Sequence, residues 1–155
     1  MELRPITGEN LRQILELQVL PGQESFVASN RESLQDAARA GKNALPLGLY
    51  HEGVPVGFAL VSLGEAGQDQ CPEAARDGYC LWRLMLDARY QGQGLGNAAM
   101  EAILSYLRTR PLGPARLCWL SCEPENRRAR ALYRRFGFRE TGELCEGELV
   151  SVLTL

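Results

Sequence analysis

Between residues 91 and 97 the chain reads Gln91-Gly92-Gln93-Gly94-Leu95-Gly96-Asn97. Apolar residues follow at Ala98, Ala99, Ala102, Ile103, Tyr106 and Leu107. With Leu95 they keep the i, i+3, i+4, i+7 spacing of a helix with one buried face. Glycines at the mouth of a helix let a ligand approach the backbone closely. The first N–H groups of a helix have no intrahelical acceptor and carry partial positive charge. Such a mouth suits a phosphate or pyrophosphate. An unliganded turn has the same appearance, so the run by itself leaves both readings open. Gly94-x-Gly96-x-x-Ala99 also fits a dinucleotide fingerprint, which makes a definite demand on the elements around it.

Other reactive residues narrow the chemistry. The one histidine, His51, precedes a Glu52-Gly53 turn and reads as surface. With no Cys-x-x-Cys, a zinc site is not expected, and no metal is called for. Five cysteines (Cys71, Cys80, Cys118, Cys122, Cys145) are an odd number, and four lie in or beside apolar runs. They read as small buried hydrophobes of a reducing cytosol, giving an expected cytoplasmic location. The net charge is -2, and the densest basic cluster, residues 127–135, lies on a helix with an apolar opposite face. Neither feature points to nucleic acid. No apolar run is long enough for a membrane span, and residues 1–4 do not open a signal peptide.

The elements that must position the glycine run follow from pattern. Residues 3–6 read as a strand. Thr7 is an expected N-cap for a helix carrying Leu11, Ile14, Leu15 and Val19, stopped by Pro21-Gly22. Residues 23–30 form a polar loop with one exposed aromatic, Phe26, and Ser29 or Asn30 caps a second helix. Residues 44–50 and 54–63 form two strands joined at Glu52-Gly53, and residues 64–77 a surface loop. A strand at 79–86 enters the glycine turn. Beyond its helix come a strand at 115–122, a helix at 126–136 ended by Gly137, and a hairpin of 138–145 with 149–155. The 155 residues fit one domain.

This order, β-α-α-β-β-β-α-β-α-β-β, argues against a dinucleotide unit. Such a unit does not place three strands ahead of its fingerprint, and it wants an acid about 20 residues on, whereas Glu123 comes later. The chain instead resembles the GNAT superfamily of N-acetyltransferases over nearly its whole length. Two motifs carry the resemblance. One is Gln91-Gly92-Gln93-Gly94-Leu95-Gly96, which is similar to that family's pyrophosphate loop. The other runs Asn126-x-x-Ala129-x-x-Leu132-Tyr133-x-x-x-Gly137-Phe138. Residues 23–30, 55–58, 81–87 and 90–92 further resemble bacterial spermine/spermidine acetyltransferases. The resemblance implies an α/β (α+β) GNAT fold: a mixed, mostly antiparallel sheet of about seven strands with about four helices and splayed strands 4 and 5.

It also implies acetyl transfer from acetyl-CoA to a primary amine, by direct attack in a ternary complex. The leading acceptor is a polyamine. The alternatives are an amino acid, a peptide N-terminus or an aminoglycoside, and, in another class, a CoA-sensing module without turnover. On this resemblance Leu84, Met85 and Leu86 would pair with the pantetheine arm, and the amides of Gln91, Gly92, Gln93, Gly94, Leu95, Gly96 and Asn97 would hold the pyrophosphate. A backbone N–H near Leu86 would face the oxyanion, Asn126 would bond the cofactor arm, and Tyr133 would act as general acid near the sulfur. Read without the motif, Tyr133 is a core residue and Asn126 an N-cap. Arg135 either meets a CoA phosphate or belongs to the solvated face of five arginines. The strand at 79–86 holds no acid, so the general base is either Asp87 or a water chain. Arg83, alternating with apolar neighbours, requires a carboxylate partner that the sequence does not identify. The expected substrate loop contributes Glu24, Phe26 and Asn30. A homodimer through an exposed edge strand is a further expectation.

Overall fold

The computed structural model describes residues 1–65 and 72–155. Residues 66–71, including Cys71 and much of the expected surface loop, lie outside the described residues. The elements are β1 (Glu2–Pro5), α1 (Leu11–Leu15), α2 (Asn30–Ala40), β2 (Ala44–His51), β3 (Val54–Leu63), β4 (Gly78–Leu86), α3 (Leu95–Arg108), β5 (Leu117–Cys122), α4 (Arg127–Arg135), β6 (Arg139–Cys145) and β7 (Glu148–Thr154). The strands form one sheet in the order β1-β2-β3-β4-β5-β7-β6. All neighbouring pairs are antiparallel except β4 and β5. The sheet is the mixed, mostly antiparallel one expected.

β3 is buried along most of its length because both faces of the sheet are covered there. Ala59 and Val61 face α3, whose Ala99, Met100, Ile103 and Leu107 are fully buried. Each larger side chain of that group contributes about 1.5–3 kcal/mol by leaving water. Phe58 and Leu60 face the opposite way, onto Ile14 of α1 and Ala37 of α2. The hairpin turns at Glu52-Gly53 and Glu146-Gly147 have positive φ at both positions, as tight hairpins of this twist require. Part of the expected surface loop is not surface at all: Ala75 is fully buried and packs with Trp119.

The β4–β5 ladder is short. Pairing runs from Gly78↔Leu117 to Cys80↔Trp119, while β4 continues beside β3 and β5 beside β7. The register between β3 and β4 shifts so that Trp82 is an extra residue. A bulge bends and twists its strand, and this one follows the last β5 partner by two residues. The two strands therefore splay, as expected.

The first helix departs from the sequence reading. Thr7 is not its N-cap: Asn10 holds that position, and the Thr7 hydroxyl accepts from the Glu9 N–H at 3.3 Å. The helix ends at Leu15, short of Val19 and Pro21. Its continuation is replaced by tertiary bonds, since the Gln18 N–H donates to Asp87 Oδ2 at 3.0 Å and the Gln18 carbonyl accepts from Ala88 N–H at 2.7 Å. Ser29, not Asn30, caps α2, in a reciprocal capping box with Glu32. Among the described residues, no helix is long and apolar enough to cross a membrane.

Candidate active site

Gly92 and Gly94 have φ of +79° and +81°, and a Cβ on either would meet nothing within 4 Å. Gly94 is the N-cap of α3, in the left-handed region that a glycine enters at no steric cost. The turn thus presents bare backbone to open space at the mouth of α3, where the Asn97 N–H, expected at the pyrophosphate, already donates to the Gly94 carbonyl at 3.1 Å. A cleft of about 620 Å³ opens there, floored by Leu84, Met85 and Leu86 and walled by the glycine turn and α4.

The direction of the β4 backbone follows from one bond. The Asp87 N–H donates to the Val56 carbonyl at 2.9 Å, in the same register that pairs Gly57 with Leu86. Because an antiparallel strand alternates its bonding direction, Met85 and Arg83 also turn their amides toward β3. Leu84 and Leu86 turn theirs toward the splay. Gln91 closes the floor: its Nε2 donates to the Leu86 carbonyl at 2.9 Å and to Gln23 Oε1 at 2.8 Å.

α4 supplies the opposite wall. Asn126 caps it by accepting from the Ala129 N–H at 3.2 Å, and the same residue lines the cleft. Arg127, Arg128 and Arg135 line it as well, against one carboxylate, Glu125. Arg128 reaches Gln91 Oε1 at 3.3 Å and Arg135 reaches Asn97 Oδ1 at 3.0 Å. Arg128 and Arg135 are thus exposed to solvent and turned over the glycine turn at once, a double position that helical periodicity cannot reveal, while Arg130 and Arg134 pair with Glu140.

Of the residues expected at the cofactor, Leu84, Met85, Leu86, Gln91, Gly92, Gly94, Gly96, Asn97 and Asn126 line this cleft. Leu95 turns its side chain into the core, and Gln93 folds back to the Arg89 carbonyl at 3.0 Å. Tyr133 does not line the cleft. It sits half-buried on the inner side of α4, with its ring centroid 6.0 Å from that of Phe138. Burial, with smaller contributions from Cys122, Glu148 and Cys118, raises its pKa, so its phenol stays protonated.

Asp87 is placed differently from a base facing substrate. It is 3 % exposed and lines neither cleft. Its Oδ1 accepts from the Arg89 N–H and Nε, and its Oδ2 from Gln18 N–H and Arg89 Nη2. Burial alone would raise its pKa, but the hydrogen bonds from Arg89 and Gln18 outweigh it and the net shift is downward. Asn30 is likewise away from both clefts. It is 5 % exposed, and its Nδ2 donates to the Ile14 carbonyl at 2.8 Å and contacts Met85 Sδ at 3.8 Å. It ties α2 to α1 and β4.

A second cleft, about 360 Å³, lies on the other side of the wall made by Phe26, Val27 and Leu84, which both clefts share. Four carboxylates line it, Glu24, Asp36, Glu146 and Glu148, against the single guanidinium of Arg83. Arg83 finds the required partner in Asp36, at 3.4 Å, both side chains being 23 % exposed. That pair joins β4 to α2 across 47 residues of chain, so nothing local announces it. The four described cysteines are buried, and burial pushes the Cys118 thiol up to about 12 and the Cys122 thiol to about 11.

Comparison with known proteins matches residues 11–138 to the acetyltransferase (GNAT) family. The whole chain is 36% identical over 160 aligned positions to the spermine/spermidine N(1)-acetyltransferase of Bacillus subtilis, covering 99% of that protein. A shorter stretch, 54% of each chain, is 35% identical to the ribosomal protein bS18 alanine N-acetyltransferase of Escherichia coli. The fold superposes on an aminoglycoside acetyltransferase solved with coenzyme A, with a TM-score of 0.81 at 21% identity, covering 98% of this chain and 93% of that one. The chain belongs to the acetyltransferase (GNAT) family and is an acetyl-CoA-dependent N-acetyltransferase.

Proposed function

We propose that the acceptor is a linear polyamine, of the spermidine or spermine kind, acetylated on a primary amine by direct attack in a ternary complex. The observation that carries this reading is the pair of clefts sharing the Phe26, Val27 and Leu84 wall. One is lined by bare glycine backbone and three arginines, the other by four carboxylates and one arginine. The first suits a pyrophosphate and the second a polycation. Phe26, 36 % exposed between them, offers an apolar face to an alkyl chain, and Glu24 an anion to a distant ammonium. The name of the Bacillus relative, identical at 36% of positions over the full length, points the same way.

Acetyl-CoA supplies an acetyl group activated as a thioester. The glycine turn, with its open space at Gly92 and Gly94, fits the pyrophosphate, and Arg128 and Arg135 fit the outer phosphates. The outward amides of Leu84 and Leu86 fit the pantetheine arm, with the Leu86 N–H the candidate donor to an oxyanion. Asn126 keeps its Nδ2 for the same arm while its Oδ1 caps α4. Tyr133, held protonated by burial, is the candidate proton donor to the departing thiolate. Asp87 acts as a strap that holds residues 18–23 over the cleft. The buried thiols suit a reducing cytoplasm. β6, at the sheet edge, is the surface on which a homodimer would form.

The test is CoA release from acetyl-CoA, followed by a thiol reagent, with an enzyme-only blank because the chain has five cysteines. Saturable release with spermidine or spermine, and little with amino acids, short peptides or an aminoglycoside, is the expected result. Saturable release confined to one of the other amines would discard the polyamine and keep the transfer chemistry.

A further inference from the structure

With Asp87 committed to Gln18 and Arg89, the reacting amine still needs a group to take its proton. Each carboxylate of the acidic cleft can be weighed by what already holds it. Asp36 is shared between Arg83 at 3.4 Å and Arg39 at 2.5 Å. Glu24 lies in the exposed loop and accepts the Gly22 N–H at 2.7 Å. Glu146 is exposed in the β6–β7 turn. Glu148 differs from all three. It is half-buried at the start of β7, belongs to no ion pair among the described residues, and is oriented by a single hydroxyl, Ser121 Oγ, which donates to its Oε2 at 2.5 Å.

The sheet explains that placement. Ser121 of β5 pairs with Val150 of β7, so Glu148, two residues away, shares their face and sits diagonally across from Ser121. Trp119 and Val150 pack together on that face, away from α3. Tyr133 belongs to the core on the other face, with Leu120 and Phe138. The Glu148 carboxylate thus lines the acidic cleft, and the Tyr133 phenol lies across β5 from it, in the core on the other face of the sheet. Their proximity is electrostatic as well, since Glu148 is among the groups that raise the Tyr133 pKa, after burial and Cys122.

We propose that Glu148, oriented by the Ser121 hydroxyl, takes the proton from the attacking amine. The assignment rests on the amine-transfer reading above, but not on the amine being a polyamine. An alkylammonium entering the acidic cleft gives one proton to the Glu148 carboxylate, which passes it to solvent. The freed lone pair forms the C–N bond as the C–S bond breaks, and the second nitrogen proton replaces the one that Tyr133 gives to sulfur. One N-acetylamine, one CoA thiol and one proton result from one ammonium and one thioester.

The experiment uses the full chain and whichever amine the wild-type protein acetylates fastest. Glu148→Gln keeps an acceptor for Ser121 but cannot take a proton. It should lower kcat about 100-fold near pH 7. The loss should shrink as rising pH supplies neutral amine, with acetyl-CoA affinity unchanged. Ser121→Ala should move the acid limb of the rate profile in the same sense by less, and Glu148→Asp should restore part of the rate. The titratable groups around Glu148 are Glu24, Asp36, Arg83, Cys145 and Glu146 in the cleft, with Cys122 and Tyr133 across the sheet. In the Gln variant the rate should therefore keep rising with pH as neutral amine accumulates, whereas Glu101→Gln, on the exposed face of α3, should keep the wild-type profile. A raised KM with kcat within about twofold of wild type would make Glu148 a binding residue and overturn the proposal. A loss independent of pH would also overturn it. If the best amine is not a polyamine, the acceptor assignment falls while these outcomes still judge Glu148. Should Glu148→Gln fail to fold, an unchanged acid limb in Ser121→Ala and Glu148→Asp would count against the proposal.

Discussion

The two clefts share a wall and are built by opposite means. The cleft proposed for the cofactor is made largely of backbone: a glycine turn, the mouth of α3, and two β4 amides freed where the strands part. Most of its parts lie within two stretches, residues 84–99 and 125–135, with Val19, Gln23, Phe26 and Val27 added from the loop before α2. The acidic cleft is made of side chains from α2, β4, β5, β6, β7, the β6–β7 turn and the loop before α2. A ligand common to a family can be read by backbone, which changes little with sequence. A ligand that varies must be read by side chains, which can be exchanged without moving the fold. The first cleft should therefore respond to backbone conformation and the second to charge and ionic strength.

Perturbations can break or sharpen that contrast. The largest expected effect is at the junction. Tyr133→Phe should cut kcat by about 100-fold while leaving acetyl-CoA affinity unchanged, and steady-state rates with calorimetric binding check it. Unchanged turnover would remove Tyr133 from the chemistry.

Next comes the strap. Asp87→Asn weakens charge-assisted bonds to Arg89 and the Gln18 N–H at a buried position, and should cost about 1–3 kcal/mol by urea unfolding. Its effect has a sign with pH. The Asp87 pKa is depressed below its ordinary 3.8 in the folded chain. That contribution is present above the unfolded value and is lost as pH falls through the folded one. The difference between wild type and variant should therefore narrow below about pH 4. A difference that widens there would contradict the assignment.

Smaller again is Gly94→Ala. No atom lies within 4 Å of the added Cβ, so the cost is that of φ +81° alone, about 1–2 kcal/mol. Acetyl-CoA affinity should fall and acceptor KM should not. The least effect belongs to the acidic rim. Glu24→Gln should raise polyamine KM only a few-fold, about 1 kcal/mol or less, and weaken its salt dependence. Acetyl-CoA affinity that followed Glu24, or acceptor KM that followed Gly94, would dissolve the division of labour.

What the sequence determined about this protein is what local physics encodes. The apolar run of 54–63, the helical spacing after Gly94, the cap at Ser29 or Asn30 and the Glu-Gly turns each follow from neighbours a few residues apart, and the structure places elements where they indicate. The glycine turn and the Asn126 helix start were legible for the same reason, because both are set by local backbone conformation. Tertiary structure alone decided the rest. α1 stops early because Gln18 finds Asp87 and Ala88, partners 69 and 70 residues away. The same bonds make Asp87 a strap. Asn30 turns inward to Ile14 because α1 and α2 pack together. Asp36 meets Arg83, and Ser121 meets Glu148, only once α2 lies on β4 and β7 inserts between β5 and β6. Charges gathered across such separations leave no period or motif in the chain, since their spacing is fixed by strand order rather than by turns of helix or pleats of strand.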